Sequence, residues 1–112
     1  MATSKLVPNH EMIAKADGDA FALAFARIEA HYFINKGFFD SDEWILENVD
    51  KIKHIPTKIV QGRYDVVCPI KSAWDLKKKL PDAELVITLA GHSATEKETT
   101  EQLVKFVDSF TE

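Results

Sequence analysis

The residues best suited to chemistry are an acid and an imidazole, Asp65 and His92, each just past a strand-like run. Asp65 follows Lys58-Ile59-Val60-Gln61-Gly62-Arg63-Tyr64, and His92 follows Leu85-Val86-Ile87-Thr88-Leu89-Ala90-Gly91. Thr57 to Val60 reads as a short buried strand, Gly62 breaks it, and Pro69 opens a helix at its first turn. A loop between a strand and a helix presents its carboxylate at the edge of an α/β sheet. Paired with an imidazole, such an acid orients the ring and stabilises the imidazolium, while the ring takes a proton from a nucleophile. Where a sheet of this kind carries a full triad the chain order is nucleophile, acid, base, and Asp65 before His92 fits the last two. The alternative is a loop aspartate capping the helix after Pro69, with His92 a surface histidine.

Candidates for the remaining roles are fewer. Ser93 adjoins His92 but is not on a strained strand-to-helix elbow, and adjacent side chains rarely share one geometry. Cys68 is chemically the better nucleophile, since a thiolate needs less activation. An acid three residues away works against thiolate formation, and a small packed pocket residue is the other account of it. Glu29 lies in a very apolar helical run, and Arg27 and His31, two residues to either side, do not face it. Its partner would then come from elsewhere, either Arg63 or a substrate amine; Arg63 could equally anchor the Asp65 loop. His10 and His54 show no ligand spacing with any Cys or His, so no metal site is expected.

The elements that must hold these residues follow from the pattern. His10 to Ala16 reads as a short helix. The run from Ala20 to about Asn35 is a strong helix, with no Pro or Gly inside it; Asp19 is a candidate cap and Gly37 a candidate C′ residue. Apolar residues cover most of its circumference, as in a helix buried on several sides or lacking a partner. Asp40 and Glu43 have capping-box spacing for a second helix reaching Val49 or Ile52, with Trp44, Ile45, Val49 and Ile52 on one side. Ile55-Pro56 stops it. A helix from Pro69 to Leu80 turns Ile70, Ala73, Trp74 and Leu80 inward, and Glu84 to Leu89 forms the second strand. A last helix starts near Thr95, with Glu98 at capping-box spacing, and buries Leu103, Phe106, Val107 and Phe110. The second half is thus β-α-β-α, with two strands paired in parallel through a crossover. Parallel sheets are normally wider and covered on both faces. The chain therefore reads as part of a larger α/β fold.

Composition narrows the partners. The 112 residues carry a net charge of −4, against a nucleic-acid partner; Lys77-Lys78-Lys79 reads as a solvated helix face. No run approaches a membrane span or a signal-peptide core, and one cysteine cannot form an internal disulfide, so a reducing cytoplasmic setting is expected.

Two long segments, Ala24-Phe25-Ala26-Arg27-Ile28-Glu29-Ala30-His31-Tyr32-Phe33-Ile34-Asn35-Lys36-Gly37-Phe38-Phe39 and His54 to Pro69 with its Gly62-Arg63-Tyr64-Asp65 motif, closely resemble the proline iminopeptidases. Ser72-Ala73-Trp74-Asp75-Leu76 and Gly91-His92-Ser93-Ala94 continue the resemblance in order, from about Thr3 to Phe110. It implies the C-terminal part of an α/β-hydrolase: residues 1–53 a helical cap-domain segment, residues 54–112 a β-α-β-α segment of the core. It further implies release of N-terminal proline from peptides by a Ser/His/Asp triad, without metal or cofactor. Asp65 would be the triad acid, His92 the base, Glu29 a ligand of the substrate's α-ammonium, and Cys68 a neighbour of the proline pocket. The family's Gly-x-Ser-x-Gly nucleophile elbow and its oxyanion loop have no counterpart in these 112 residues, and the segment leading to His92 reads one residue shorter than the family pattern. The chain alone is then expected to be inactive, and its partners to be proline peptides within a complete enzyme, the missing N-terminal half, or a second copy of itself.

Overall fold

Backbone propensity and tertiary packing act on different parts of this chain. A computed structural model describes residues 18–111; the expected helix over His10 to Ala16 lies outside them. The first described helix, α1, spans Asp19–Ile34, within a residue of its expected limits. Gly18 is its N-cap in extended conformation, so Asp19 is the first helical residue and acts on the helix dipole, not as a cap. At the other end Asn35 closes the helix, its side-chain amide donating to His31 O at 2.9 Å. Lys36, Gly37 and Phe38 follow with φ of 50°, 63° and 63°, a left-handed turn in which only the glycine is at ease. None of the residues of α1 is buried; Ile34 is 82% exposed.

The second helix is much shorter than expected. The helix α2 covers only Trp44–Glu47, and a 3₁₀ turn over Val49–Lys51 follows. The Asp40/Glu43 capping box does not form: Glu43 is itself the N-cap residue and makes no side-chain cap bond. Ser41 instead donates to Glu47 Oε1 at 3.1 Å. Of the expected apolar side only Val49 is buried.

The β-α-β-α order of the second half is observed. Strand β1 is Lys58–Gly62, helix α3 is Ile70–Lys79, strand β2 is Glu84–Thr88 and helix α4 is Lys97–Ser109. β1 and β2 pair in parallel, Lys58 opposite Glu84 through to Gly62 opposite Thr88. Gly62 therefore ends β1 inside the ladder and does not break it. The period of two assigns the faces. Ile59 packs against the same buried cluster as Leu76 of α3, whereas its neighbour Lys58 reaches α4, its ammonium bonded to Ser109 Oγ and lying over the Phe106 ring. The two helices thus cover opposite faces of the pair, and the molecule is of the α/β class.

The buried cluster is small: Val49, Leu80 and Ala83, with Ile59 and Leu76 against it. On the other face Phe106 is the one large side chain of α4 that is buried; Leu103, Val107 and Phe110 stay exposed, contrary to the expected helix face. Trp74 of α3 is also 54% exposed, since among the described residues no layer encloses its indole. Pro69 is the N-cap of α3 and not its first helical residue, and α4 begins at Lys97 with Glu96 as N-cap, so the Thr95/Glu98 box does not form.

Candidate active site: an Asp–His pair past two parallel strands

The C-terminal ends of β1 and β2 are brought together by a close backbone approach. A Cβ on Gly62 would lie 2.0 Å from Gly91 O and 2.7 Å from Ala90 O, so only glycine fits there. Beyond the strands the ladder continues: Arg63 N donates to Thr88 O at 2.8 Å and Tyr64 N to Ala90 O at 3.0 Å. The loops carrying Asp65 and His92 therefore leave the sheet side by side.

Asp65 Oδ2 and His92 Nδ1 meet at 2.9 Å. The segment before His92, short as it is, delivers the imidazole. Asp65 Oδ1 accepts the backbone N–H groups of Val67 at 3.0 Å and Cys68 at 2.8 Å. The aspartate is thus both the partner of His92 and the organiser of its own loop; Pro69, not Asp65, caps α3. Its side chain is 7% exposed and that of His92 40%, so the imidazole faces solvent while the acid is tucked behind it. Burial pushes the Asp65 carboxyl upward. The Cys68 N–H, the His92 hydrogen bond and charge, and the Val67 N–H together outweigh burial and hold it below the ordinary aspartate value. This arrangement can hold an imidazole in one tautomer and balance the positive charge it gains when it accepts a proton.

The segment before His92 is itself held from α4. Glu96 Oε2 accepts Gly91 N at 3.1 Å, and Glu98 accepts the N–H of Leu89. Beneath them Thr88 and Thr99 share a buried hydroxyl hydrogen bond of 2.8 Å. Glu98 thus contributes to the site, although the capping role expected of it is absent. On the other loop Gln61 Nε2 donates to Gly62 O and to Cys68 O, both at 3.1 Å, with Asp65 Oδ2 at 3.5 Å. These supporting residues were not legible in the sequence, where Gln61 and Glu96 carry no motif. The one signal was Gly62 at a strand end, the position where two backbones approach.

The other expected site residues are not gathered here. Cys68 is exposed, and it enters the site through its backbone, not as a packed side chain. Arg63 is held by its backbone N–H, and its side chain makes no ion pair among the described residues. Glu29 is exposed on α1, which packs chiefly on the Lys36–Phe38 turn, and no ion pair joins it to Arg63 or His92. No cluster of three or more His, Cys, Asp or Glu residues capable of holding a metal occurs among the described residues. No helix among them is long and apolar enough to cross a membrane.

An α/β pair of strands that delivers an acid and an imidazole from adjacent C-terminal ends defines the class. No protein-family model matches the chain. Individual relatives do. Proline iminopeptidase of Arabidopsis thaliana is 62% identical over 105 residues, which is 93% of this chain and 28% of that protein. A probable proline iminopeptidase of Leptolyngbya boryana is 53% identical, covering 96% of this chain and 34% of its own length. Proline iminopeptidase of Xylella fastidiosa is 52% identical over 97% of this chain and 35% of its own. The chain belongs to the proline iminopeptidase family, as a counterpart of the C-terminal part of these proteins, and spans about a third of their length.

Proposed function

We propose that this chain carries the acid–base half of a serine-type α/β-hydrolase that releases N-terminal proline from peptides. Asp65 is the acid that orients His92, and His92 is the base that takes the serine proton and returns it to the leaving amine. Glu29 contributes a carboxylate for the substrate's α-ammonium from a cap segment, residues 1–53, set on the core segment, residues 54–112. Cys68 borders the proline pocket, and Arg63 is a further substrate-binding residue. No metal or cofactor takes part, and the single thiol suits a cytoplasmic setting. The observation that carries the reading is the 2.9 Å contact between Asp65 and His92, in a chain 62% identical to one proline iminopeptidase over 93% of its length.

A serine elbow is not among these 112 residues, so the nucleophile and the oxyanion donors come from outside them. The chain by itself is then expected to release no proline from proline amide above background. Adding a polypeptide that corresponds to the remaining two-thirds of a relative should generate turnover. In that mixture Asp65→Asn should reduce kcat on the order of 10⁴-fold and His92→Ala on the order of 10⁶-fold. Turnover by the 112 residues alone, abolished by His92→Ala, would overturn the division of labour.

A second reading is a non-catalytic assembly module, a relic of the enzyme that persists by self-association. It is favoured by the apolar side chains that α1 leaves in solvent, among them Leu23, Ile28, Phe33 and Ile34. The two readings are compatible.

A further inference from the structure

The Asp65 loop is closed by a side chain that the sequence does not single out. Gln61 is the fourth residue of β1, and the strand period turns it to the α3 face, under the loop that runs from Gly62 to Cys68. Its amide nitrogen has two N–H groups. They are directed at Gly62 O, where the loop leaves the strand, and at Cys68 O, where it reaches α3, each at 3.1 Å. The Cys68 residue is consequently gripped from two sides: its N–H by Asp65 Oδ1 and its C=O by Gln61. The same amide lies 3.5 Å from Asp65 Oδ2, the oxygen that meets His92.

We propose that Gln61 is a positioning residue, a clasp across the Asp65 loop that fixes where Asp65 Oδ2 stands and so keeps it against His92. The inference rests on the Asp–His reading for its functional meaning, although its physical content is the geometry of the loop alone. The clasp acts through distance. With both carbonyls held to one amide, the loop ends cannot separate, and the Val67 and Cys68 N–H groups stay aimed at Oδ1. Without it those carbonyls turn to water, the loop widens, and Asp65 loses backbone donors along with its imidazole. The charge of Asp65 is then less favoured.

The test uses the 112-residue chain and Gln61→Met, which keeps the length and apolar volume of the side chain but removes both donors. The Asp65 carboxyl carbon is followed by NMR through an acid titration, together with protection of the Val67 and Cys68 amides from hydrogen exchange. The expected result is a midpoint displaced upward towards the ordinary aspartate value, with at least about tenfold less protection at the two amides, the equivalent of one hydrogen bond. Loss of packing alone would lower the melting temperature without moving the midpoint. Should Gln61→Met fail to fold, Gln61→Asn retains an amide on a stem too short to span the loop, and the same upward displacement is expected. A folded variant of either kind with the parent's midpoint and protection overturns the proposal. Because nothing is read from catalysis, absence of proline release leaves this result standing, and failure here leaves the hydrolase reading intact.

Discussion

Asp65 concentrates the informative chemistry of this chain in one side chain. It accepts two backbone N–H groups on one oxygen and His92 on the other, and these bonds favour the charged carboxylate over burial. The sign of the pH dependence follows. The native state holds the Asp65 carboxyl below its unfolded value, so the unfolded chain binds the proton more readily. The stability this adds is complete above the unfolded value of about 4 and is lost as pH falls through the lower, native-state midpoint. Urea unfolding from pH 6 downward should therefore show an acid limb, and Asp65→Asn should flatten it while lowering stability at pH 6. An unchanged limb in Asp65→Asn would assign acid sensitivity to other carboxylates.

Gly62 belongs to the scale of elements, because its lack of a side chain decides how closely β1 approaches the segment after β2. A methyl group placed there would be 2.0 Å from one carbonyl oxygen and 2.7 Å from another, both backbone atoms that cannot rotate aside. Gly62→Ala should cost about 1–3 kcal/mol or more in chemical denaturation, the range of an overpacked site. It should also separate Asp65 from His92, visible as loss of the NMR contact between their side chains. A variant with parental stability and an intact contact would mean that the strand ends have freedom to move apart. The helices illustrate a related point. Capping boxes at Asp40/Glu43 and Thr95/Glu98 had the right spacing, yet neither forms, and Glu98 is recruited by the backbone of Leu89. Cap motifs state a local preference of about a kilocalorie per mole, which a neighbouring strand's unpaired N–H can outbid.

On the scale of the whole molecule, apolar surface outruns the chain's capacity to hide it. Among the described residues six form the buried hydrophobic core, whereas Phe21, Leu23, Ile28, Phe33 and Ile34 of α1, Val104 and Val107 of α4, and Phe110 at its C-cap remain exposed. A helix apolar around its circumference is stable in water only when enclosed. Light scattering on the isolated chain should return a mass above that of one copy, and charge placed on α1, as in Ile28→Glu with Phe33→Glu, should reduce it. A parent that measures as one copy at micromolar concentration would remove the self-association reading.

Several features were determined by the sequence itself. Short apolar runs assigned β1 and β2, Pro69 and helical spacing assigned α3 and α4, and an unbroken run of helix formers assigned α1 nearly to the residue, because these depend on local backbone preference. The positions of Asp65 and His92 past two strands were likewise legible, as loop residues after apolar runs. What only the tertiary structure decided is which side chains meet. Parallel pairing set β1 beside β2, Gly62 admitted Gly91, and Asp65 and His92, 27 positions apart in sequence, closed to 2.9 Å. The clasp of Gln61 and the grip of Glu96 and Glu98 on the segment after β2 have no sequence signature, because each bonds a backbone group, and every residue type except proline offers the same ones. Burial followed the same logic: the pattern named apolar faces, but Trp74, Val107 and Phe110 stay in solvent because a face is buried only where another layer of protein lies against it.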